Sequence, residues 1–546
     1  MDSKIKTKFN ILAIFAIIIF CFAISPITLQ NDTFYTIKIG EHILENGIDM
    51  QDPFSWHDNL PYTYPHWIYD VLIYLVFSVG GYLGIYLSTV ILACILGLTL
   101  YLTCTKLVKN NLVSFILTIG ALYLLTDFIA ARAQLITFIL FALTIFFIEM
   151  FLETKNKWYL LPLIIIPIII ANVHLAVWPF YFILFLPYIA EYIIYLIIDS
   201  NFITKISIII KKRKVKKLSK AQSKEEKLEK LEQNIKLKIE KLIEIKEKRE
   251  KRRLNSYKII INKNSAAKWL IIIFILALFT GLLTPLGSTP YTYLINTLEG
   301  NTTKSISEHL PLTLINSKEY ICVLIIFIAL LMFTDTKIRL SDLFMLGGLI
   351  LLSFITRRQM SMVYIICLYI LARICTTFLN KYDPKGSETV IKFLTTILGK
   401  VLVISFIAVV GLYLFRPKMD NKFINTASYP VEATKYIKEN IDIGNMKLYN
   451  EYNYGSYLLL NDIPVFIDSR ADLYAPEFNK GKDIFSDFIN ISNINLYYED
   501  KFEEYSITHV IVFKKAKLNL FLSRDNNYKQ LYSDANFVLY ERNIDN

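Results

Sequence analysis

The chain's apolar runs constrain its fold more than any other feature. The first, Phe9 to Ile27, carries no charge over 19 residues, about 28 Å of helix at 1.5 Å per residue, which is enough to cross the hydrocarbon of a bilayer. Further runs lie at about 82–107, 112–130, 134–152, 158–173, 177–198, 267–285, 318–334, 340–356, 360–379 and 391–415. They predict a polytopic α-helical membrane protein of about eleven transmembrane helices. A chain of 546 residues that is 54% hydrophobic has more apolar surface than a soluble core requires.

Lys4, Lys6 and Lys8 precede the first run, which reads as a signal peptide or as an uncleaved span. Pro26, directly after Ala23-Ile24-Ser25, is a poor cleavage context and favours the uncleaved span. With those lysines inside, Asp32 falls just outside. Alternation then places Lys155, Lys157, the run beginning at Lys211, Lys337, Arg339, Lys381 and Lys385 in the cytoplasm, as the positive-inside rule requires.

The net charge of +12 is local, since Lys211 to Arg253 holds 19 basic and 8 acidic residues. That location removes the argument for a nucleic-acid partner. The cytoplasmic insert, about 205–262, has a heptad-like series at Leu228, Leu231, Ile235, Leu242 and Ile245, broken by Lys238. It predicts a helical hairpin or short coiled coil that touches anionic lipid. All six cysteines lie in apolar segments and read as small hydrophobes rather than metal ligands or disulfides.

The loop between the first two spans, about 28–81, concentrates polar chemistry. It predicts an amphipathic helix at Thr33–Glu45, a turn at Asn46-Gly47, an irregular Asp52-Pro-Phe-Ser-Trp56 segment, and a surface helix from Trp67 halted by Gly80-Gly81 before the second span begins at Tyr82. Arg132, His174, Arg357 and Arg358 fall at the outer ends of spans, where arginine opposes the topology rule. Cations brought by separate hairpins to the level of Asp32 point to a polar cavity.

After Phe415 no run is long enough to span. Residues 416–546 read as an extracytoplasmic α/β domain, with a helix at Val431–Glu439, strands at Met446–Tyr449, Pro464–Asp468, His509–Lys514 and Phe537–Glu541, and helices between Gly481 and Tyr505.

Asn31-Asp-Thr-Phe-Tyr-Thr-Ile-Lys-Ile-Gly-Glu41, Asp52-Pro-Phe-Ser-Trp56, Trp67-Ile-Tyr-Asp70, Ala131-Arg-Ala-Gln134, Ala171-Asn-Val-His174, Thr284-Pro-Leu-Gly287, Thr356-Arg-Arg358 and Phe466-Ile-Asp-Ser-Arg-Ala-Asp-Leu-Tyr474 occur in this order. The pattern resembles bacterial GT-C superfamily membrane glycosyltransferases, related to the protein mannosyltransferase and aminoarabinose transferase types, over nearly the whole chain except the basic insert. The resemblance implies a polyprenyl-phosphate-linked sugar as donor, an extracytoplasmic acceptor, transfer of a hexose or pentose, and a catalytic acid in the first loop, matched here by Asp32. A carboxylate there can act as base or hold a divalent metal, so metal dependence stays open. Asp32 also stands where an acid would cap the following helix.

A leaving phosphate gains charge in the transition state, so Arg132, Arg357 and Arg358, with His174, are expected to bind it. Asp52, His66 and Asp70 compete for an acceptor or supporting role. Relatives carry His-Glu-Trp where this chain has Pro65-His66-Trp67, so an expected second acid is missing. A transporter or lipid flippase, or a non-catalytic scaffold, would account for the spans. The former predicts internal hydropathy repeats and charges at the midplane, and neither is visible.

Overall fold

The computed structural model describes residues 3–199, 208–210, 212, 213, 215, 225–254, 256–300, 306, 308–313, 315 and 317–543. Helix α1, Ser3–Ile24, buries Phe9, Ala13, Ala16, Ile17, Phe20 and Ile24 along one stripe, while Ile11, Phe15 and Phe22 face outward. A helix apolar on both its packed and its exposed sides suits lipid rather than water. Its last carbonyls are capped from far along the chain, because Lys418 Nζ lies 2.9 Å from Ala23 O and 2.7 Å from Ile24 O.

Helix α2, Asn31–Asn46, ends at Gly47, whose positive φ of 81° the chain adopts readily only at glycine. Helix α3, Trp67–Val108, is 42 residues long and breaks at Gly81, where φ is 55° and ψ is −149°. The break falls within the Gly80-Gly81 pair, where the sequence predicts an interruption. α2 lies along the first part of α3 so closely that Gly40 packs against the Asp70 carbonyl. Helices α4 (Asn111–Leu124), α5 (Gln134–Thr154) and α6 (Pro162–Val173) follow.

Seven segments among the described residues are helical, long and apolar enough to cross a membrane: Ser3–Ile24, Trp67–Val108, Gln134–Thr154, Leu175–Ile198, Ser265–Leu282, Arg357–Tyr382 and Ile397–Lys418. Shorter apolar helices at Asn111–Leu124, Lys157–Val173 and Leu340–Ile355 pack with them. Near the end of α5 remote from Arg132, buried Glu149 pairs with Arg339 at 2.6 Å, and Asp342 pairs with Arg339 at 2.8 Å and Arg373 at 2.6 Å. Tyr188 donates to Glu149 at 2.8 Å. Such a network fixes helix register, because breaking one arm leaves an uncompensated charge in the packed interior.

In the insert, one helix covers Glu225–Leu254. A two-residue parallel pairing of β1 (Ile259–Ile260) with β2 (Ile338–Arg339) ties the return of the insert to the bundle. The expected hairpin partner falls partly outside the described residues.

The C-terminal region forms a four-stranded sheet in the order β3-β4-β6-β5, with β3 Leu448–Tyr449, β4 His509–Phe513, β5 Tyr528–Ser533 and β6 Phe537–Arg542. β3 and β4 are parallel, and the remaining pairs are antiparallel. The expected strand at Pro464–Asp468 does not form. Only Val465 bridges, to Ser55 of the first loop, while the Asn450 side chain accepts from Phe466 N at 2.8 Å and donates to Ile467 O at 2.7 Å. A side-chain amide satisfies the backbone there in place of a strand ladder. The sequence does not predict β5, because its Tyr-Lys-Gln-Leu-Tyr-Ser lacks a continuous apolar run. One apolar core joins this sheet to the first loop, with Phe34, Tyr62 and Tyr64 in the same cluster as Tyr449, Tyr454 and Phe466.

Candidate functional site

The helix junctions at Ala131–Ala133, Val173–Leu175 and Thr356–Arg358 converge on the first loop. Thr33 Oγ1 donates to Ala131 O at 3.3 Å, Leu175 N donates to Pro65 O at 2.9 Å, and Trp67 Nε1 donates to Asn172 Oδ1 at 3.1 Å. These ties place Asp32, His66, Arg132, His174 and Arg358 around a cavity of about 340 Å³, with Arg470 and Asp472 supplied by the C-terminal region.

Asp32 is in the first turn of α2 but does not cap it. Gln30 is the N-cap and makes no side-chain capping bond. The Asp32 carboxylate instead meets Arg132 Nη2 at 2.9 Å, and Arg132 Nη1 reaches Glu308 at 3.2 Å. Burial opposes the charge of Arg132, and the two flanking carboxylates outweigh it, so its pKa is raised. Burial likewise works against ionised Glu308, but Arg132 and Arg358 hold its pKa below the usual carboxylate value. The Glu308 segment is fastened to the third arginine-bearing turn, because Arg358 N donates to Glu308 O at 3.1 Å and Arg357 N to Leu310 O at 3.0 Å.

A second cavity of about 480 Å³ shares Arg132, Gln134, Glu308 and Arg358 with the first. Arg357 lines only this second cavity, together with apolar residues of the spans such as Leu124, Met360 and Leu414.

The rings of His66 and His174 sit 4.9 Å apart. Burial, with Arg358 and Arg132 nearby, pushes His66 down to about 3. His174 is lowered by burial, by His66 and by the same arginines. Both shifts favour the neutral imidazole, a hydrogen-bonding group rather than a cation.

Asp52 and Asp70 do not reach the cavity. Asp52 caps the following turn, accepting from Ser55 N at 2.9 Å, and pairs with Arg470 Nη1 at 2.6 Å. Asp70 is fully buried between α2 and α3, with neither carboxylate oxygen hydrogen-bonded. Among the described residues no group of three His, Cys, Asp or Glu side chains is gathered as a metal site. Asp32 and Glu308 are bridged by a guanidinium instead.

No family model and no curated protein matches the chain. Solved structures do. The fold is similar to that of an archaeal oligosaccharyltransferase. The Archaeoglobus fulgidus enzyme, in a crystal structure tethered by a disulfide bond with an acceptor peptide containing the NVT sequon, matches with a TM-score of 0.51 and 11% identity, over 99% of this chain and 74% of that one. Its apo form matches with a TM-score of 0.52 and 11% identity, over 93% and 69%. At that identity the likeness shows a shared fold and nothing about individual residues.

Sequence reasoning missed Glu308, His309 and Tyr293, all of which line the first cavity. The signal was an acid beside a histidine in a polar stretch between apolar runs, and it became readable only once Arg132 lay against it. Asp472, which the sequence offers only within the Phe466–Tyr474 motif, accepts from the Tyr293 hydroxyl, and burial raises its pKa more than that bond lowers it.

Proposed function

We propose that this chain is an integral-membrane glycosyltransferase that moves a hexose or pentose from a polyprenyl-phosphate carrier to an extracytoplasmic glycan, lipid or protein acceptor, with inversion at the anomeric carbon. The observation that carries this reading is Arg132, paired with Asp32 and standing between two cavities. The second cavity, lined by Arg132, Arg357 and Arg358 together with Asp127, Glu308 and Glu319 and by apolar residues of the spans, offers guanidinium groups to a phosphate on a lipid tail. The cavity walled by the C-terminal region suits the acceptor.

In the reaction, Asp32 takes the proton of an acceptor hydroxyl or amine. The freed oxygen or nitrogen forms a bond to the anomeric carbon from the face opposite the phosphate. The bond from that carbon to the phosphate oxygen breaks, and its electron pair leaves on polyprenyl phosphate. Arg132, Arg358 and Arg357 stabilise the growing charge, and neutral His174 and His66 assist by hydrogen bonding.

The same reading assigns eleven spans, a transmembrane domain at 1–415 and an extracytoplasmic domain at 416–546, with the N-terminus and the basic insert in the cytoplasm of a cell-membrane protein. The test is transfer from polyprenyl-phosphate sugars in proteoliposomes. Asp32→Asn should lower the rate by about 10²-fold or more while leaving donor binding intact, and full retained activity removes Asp32 as base. A cysteine placed at Ser428 should be labelled from outside intact cells, and protection there reverses the orientation.

A further inference from the structure

Arg132, His174, Arg357 and Arg358 each stand at one end of a span, and farther along the same spans four other side chains meet in one buried cluster. Arg132 precedes α5, which carries Glu149 near its other end. His174 precedes the segment Leu175–Ile198, which carries Tyr188. Arg357 follows the helix Leu340–Ile355, which carries Asp342 in its first turn, and Arg358 opens the segment Arg357–Tyr382, which carries Arg373. The paired positions are about 14–17 residues apart, or about 21–26 Å of helix at 1.5 Å per residue.

Arg339 is the hub of the cluster and its one member outside a helix. Its guanidinium donates to both oxygens of Glu149, at 2.6 and 2.8 Å, and to both oxygens of Asp342, each at 2.8 Å. It lies on β2, whose partner β1 is where the chain returns from the basic insert, with Ile338 N donating to Lys258 O at 2.9 Å. Just beyond β1, Asn262 N donates to Glu191 at 2.9 Å and Asn264 Nδ2 to Leu152 O at 2.8 Å. The returning chain is thereby bonded to the helices of Tyr188 and Glu149, and the Tyr188 helix, Leu186–Asp199, is the one that leads into the insert. Both roots of the insert therefore act on the cluster. Glu149, Tyr188, Arg339 and Arg373 also border a cavity of about 260 Å³ with Glu191 and Asn262, so packing does not enclose them on that side. Buried ion pairs are favourable only in near-ideal geometry, and a displacement of β2 is felt by four helices at once.

We infer that Glu149, Arg339, Asp342 and Arg373 form a latch that positions Arg132, His174, Arg357 and Arg358 from the opposite end of the bundle, and that the basic insert closes it by docking on an anionic membrane surface. The 19 basic residues against 8 acidic ones from Lys211 to Arg253 supply the attraction. Docking holds β1 against β2 and seats Arg339 between its carboxylates. The four are positioning residues, since none lines either cavity of the site. This regulation rests on the transferase reading for what the site binds.

The full chain in nanodiscs of phosphatidylcholine, with or without phosphatidylglycerol, is titrated with polyprenyl phosphate. In the same discs the distance is measured between nitroxides at Leu283→Cys and Ile355→Cys, exposed positions near the site, with the exposed Cys322 replaced by Ser. Phosphatidylglycerol should raise the affinity by about 5-fold or more and shift the distance. In Ile259→Cys/Ile338→Cys, which are register partners, oxidation should give the high affinity in both discs, and reduction should restore the lipid dependence. Arg339→Gln should show the low affinity in both, with Arg339→Lys between; if Arg339→Gln does not fold, the cysteine pair decides alone. An affinity that phosphatidylglycerol leaves unchanged or lowers, as by competing for the arginines, or a lipid response that survives oxidation, overturns the latch. If no form binds polyprenyl phosphate, the lipid-phosphate reading fails and the distance decides. A lipid-dependent distance that Arg339→Lys diminishes keeps the latch, and a distance that is constant, or equally lipid-dependent in Arg339→Lys, overturns it.

Discussion

Arg470 Nη1 lies 2.6 Å from Asp52 Oδ1, and both side chains are almost wholly buried although the residues are 418 positions apart. Arg470 also meets Asp468 at 2.6 Å and stacks over Tyr62, with its guanidinium carbon 4.9 Å from the ring centroid. It thereby joins the first loop to the C-terminal region at the wall of the cavity. Removing Arg470 leaves the two buried carboxylates of Asp52 and Asp468 unpaired, whereas removing the Asp52 charge leaves Arg470 its pair with Asp468. Arg470→Ala should therefore cost about 3–5 kcal/mol and Asp52→Asn less, read as a lowered unfolding midpoint in detergent, with Arg470→Lys recovering only part because it lacks the planar fork.

The arginines should separate by role. Arg132→Ala removes a donor to the leaving phosphate and the partner of two carboxylates. By analogy with the loss of a transition-state hydrogen-bond donor, kcat should fall about 10²–10³-fold. Arg357→Ala, which touches only the second cavity, should raise the KM for donor more than it lowers kcat. Steady-state transfer kinetics in proteoliposomes check both, and an unchanged donor KM in Arg357→Ala counts against a lipid-phosphate role for that cavity.

The histidine pair predicts the direction of pH dependence. His66 titrates near 6.5 when unfolded and at about 3 when folded. Between those values the unfolded chain holds the extra proton, so stability is complete above about 6.5 and falls as the pH drops toward 3. The slope is about 1.4 kcal/mol per pH unit for one such site, and buried His174 adds to it in the same direction. Arg132 and Arg358 face both rings and make protonation harder still. Melting midpoints from pH 7 to pH 4 should decline less steeply in His66→Gln than in the unmodified chain.

Gly40 tests the packing of the loop itself. A Cβ at this position would fall 2.0 Å from the Asp70 carbonyl oxygen and 2.7 Å from Tyr74 Cβ. Gly40→Ala should push α2 off the start of α3 and cost about 1–3 kcal/mol. Because Asp32 rides on α2, transfer should fall together with stability, measured by thermal unfolding and activity of the same preparation.

The sequence by itself determined the membrane character of the chain, the breaks at Gly47 and Gly81, and the C-terminal change of composition. Each follows from local physical chemistry: uninterrupted apolar length, a backbone conformation that only glycine takes cheaply, or the absence of a span. It also singled out Arg132, His174, Arg357 and Arg358, since charged and imidazole groups at span ends demand an explanation, and Asp32 and His66 in the polar first loop. Tertiary structure alone decided their partners. Asp52 and Arg470 read as unrelated loop and tail residues until the fold buried them together, and Glu308 had no role until Arg132 lay between it and Asp32. Distance along the chain carries no information about such pairs, because burial cost and ion pairing act between residues that only the packed helices bring within 3 Å or so of each other.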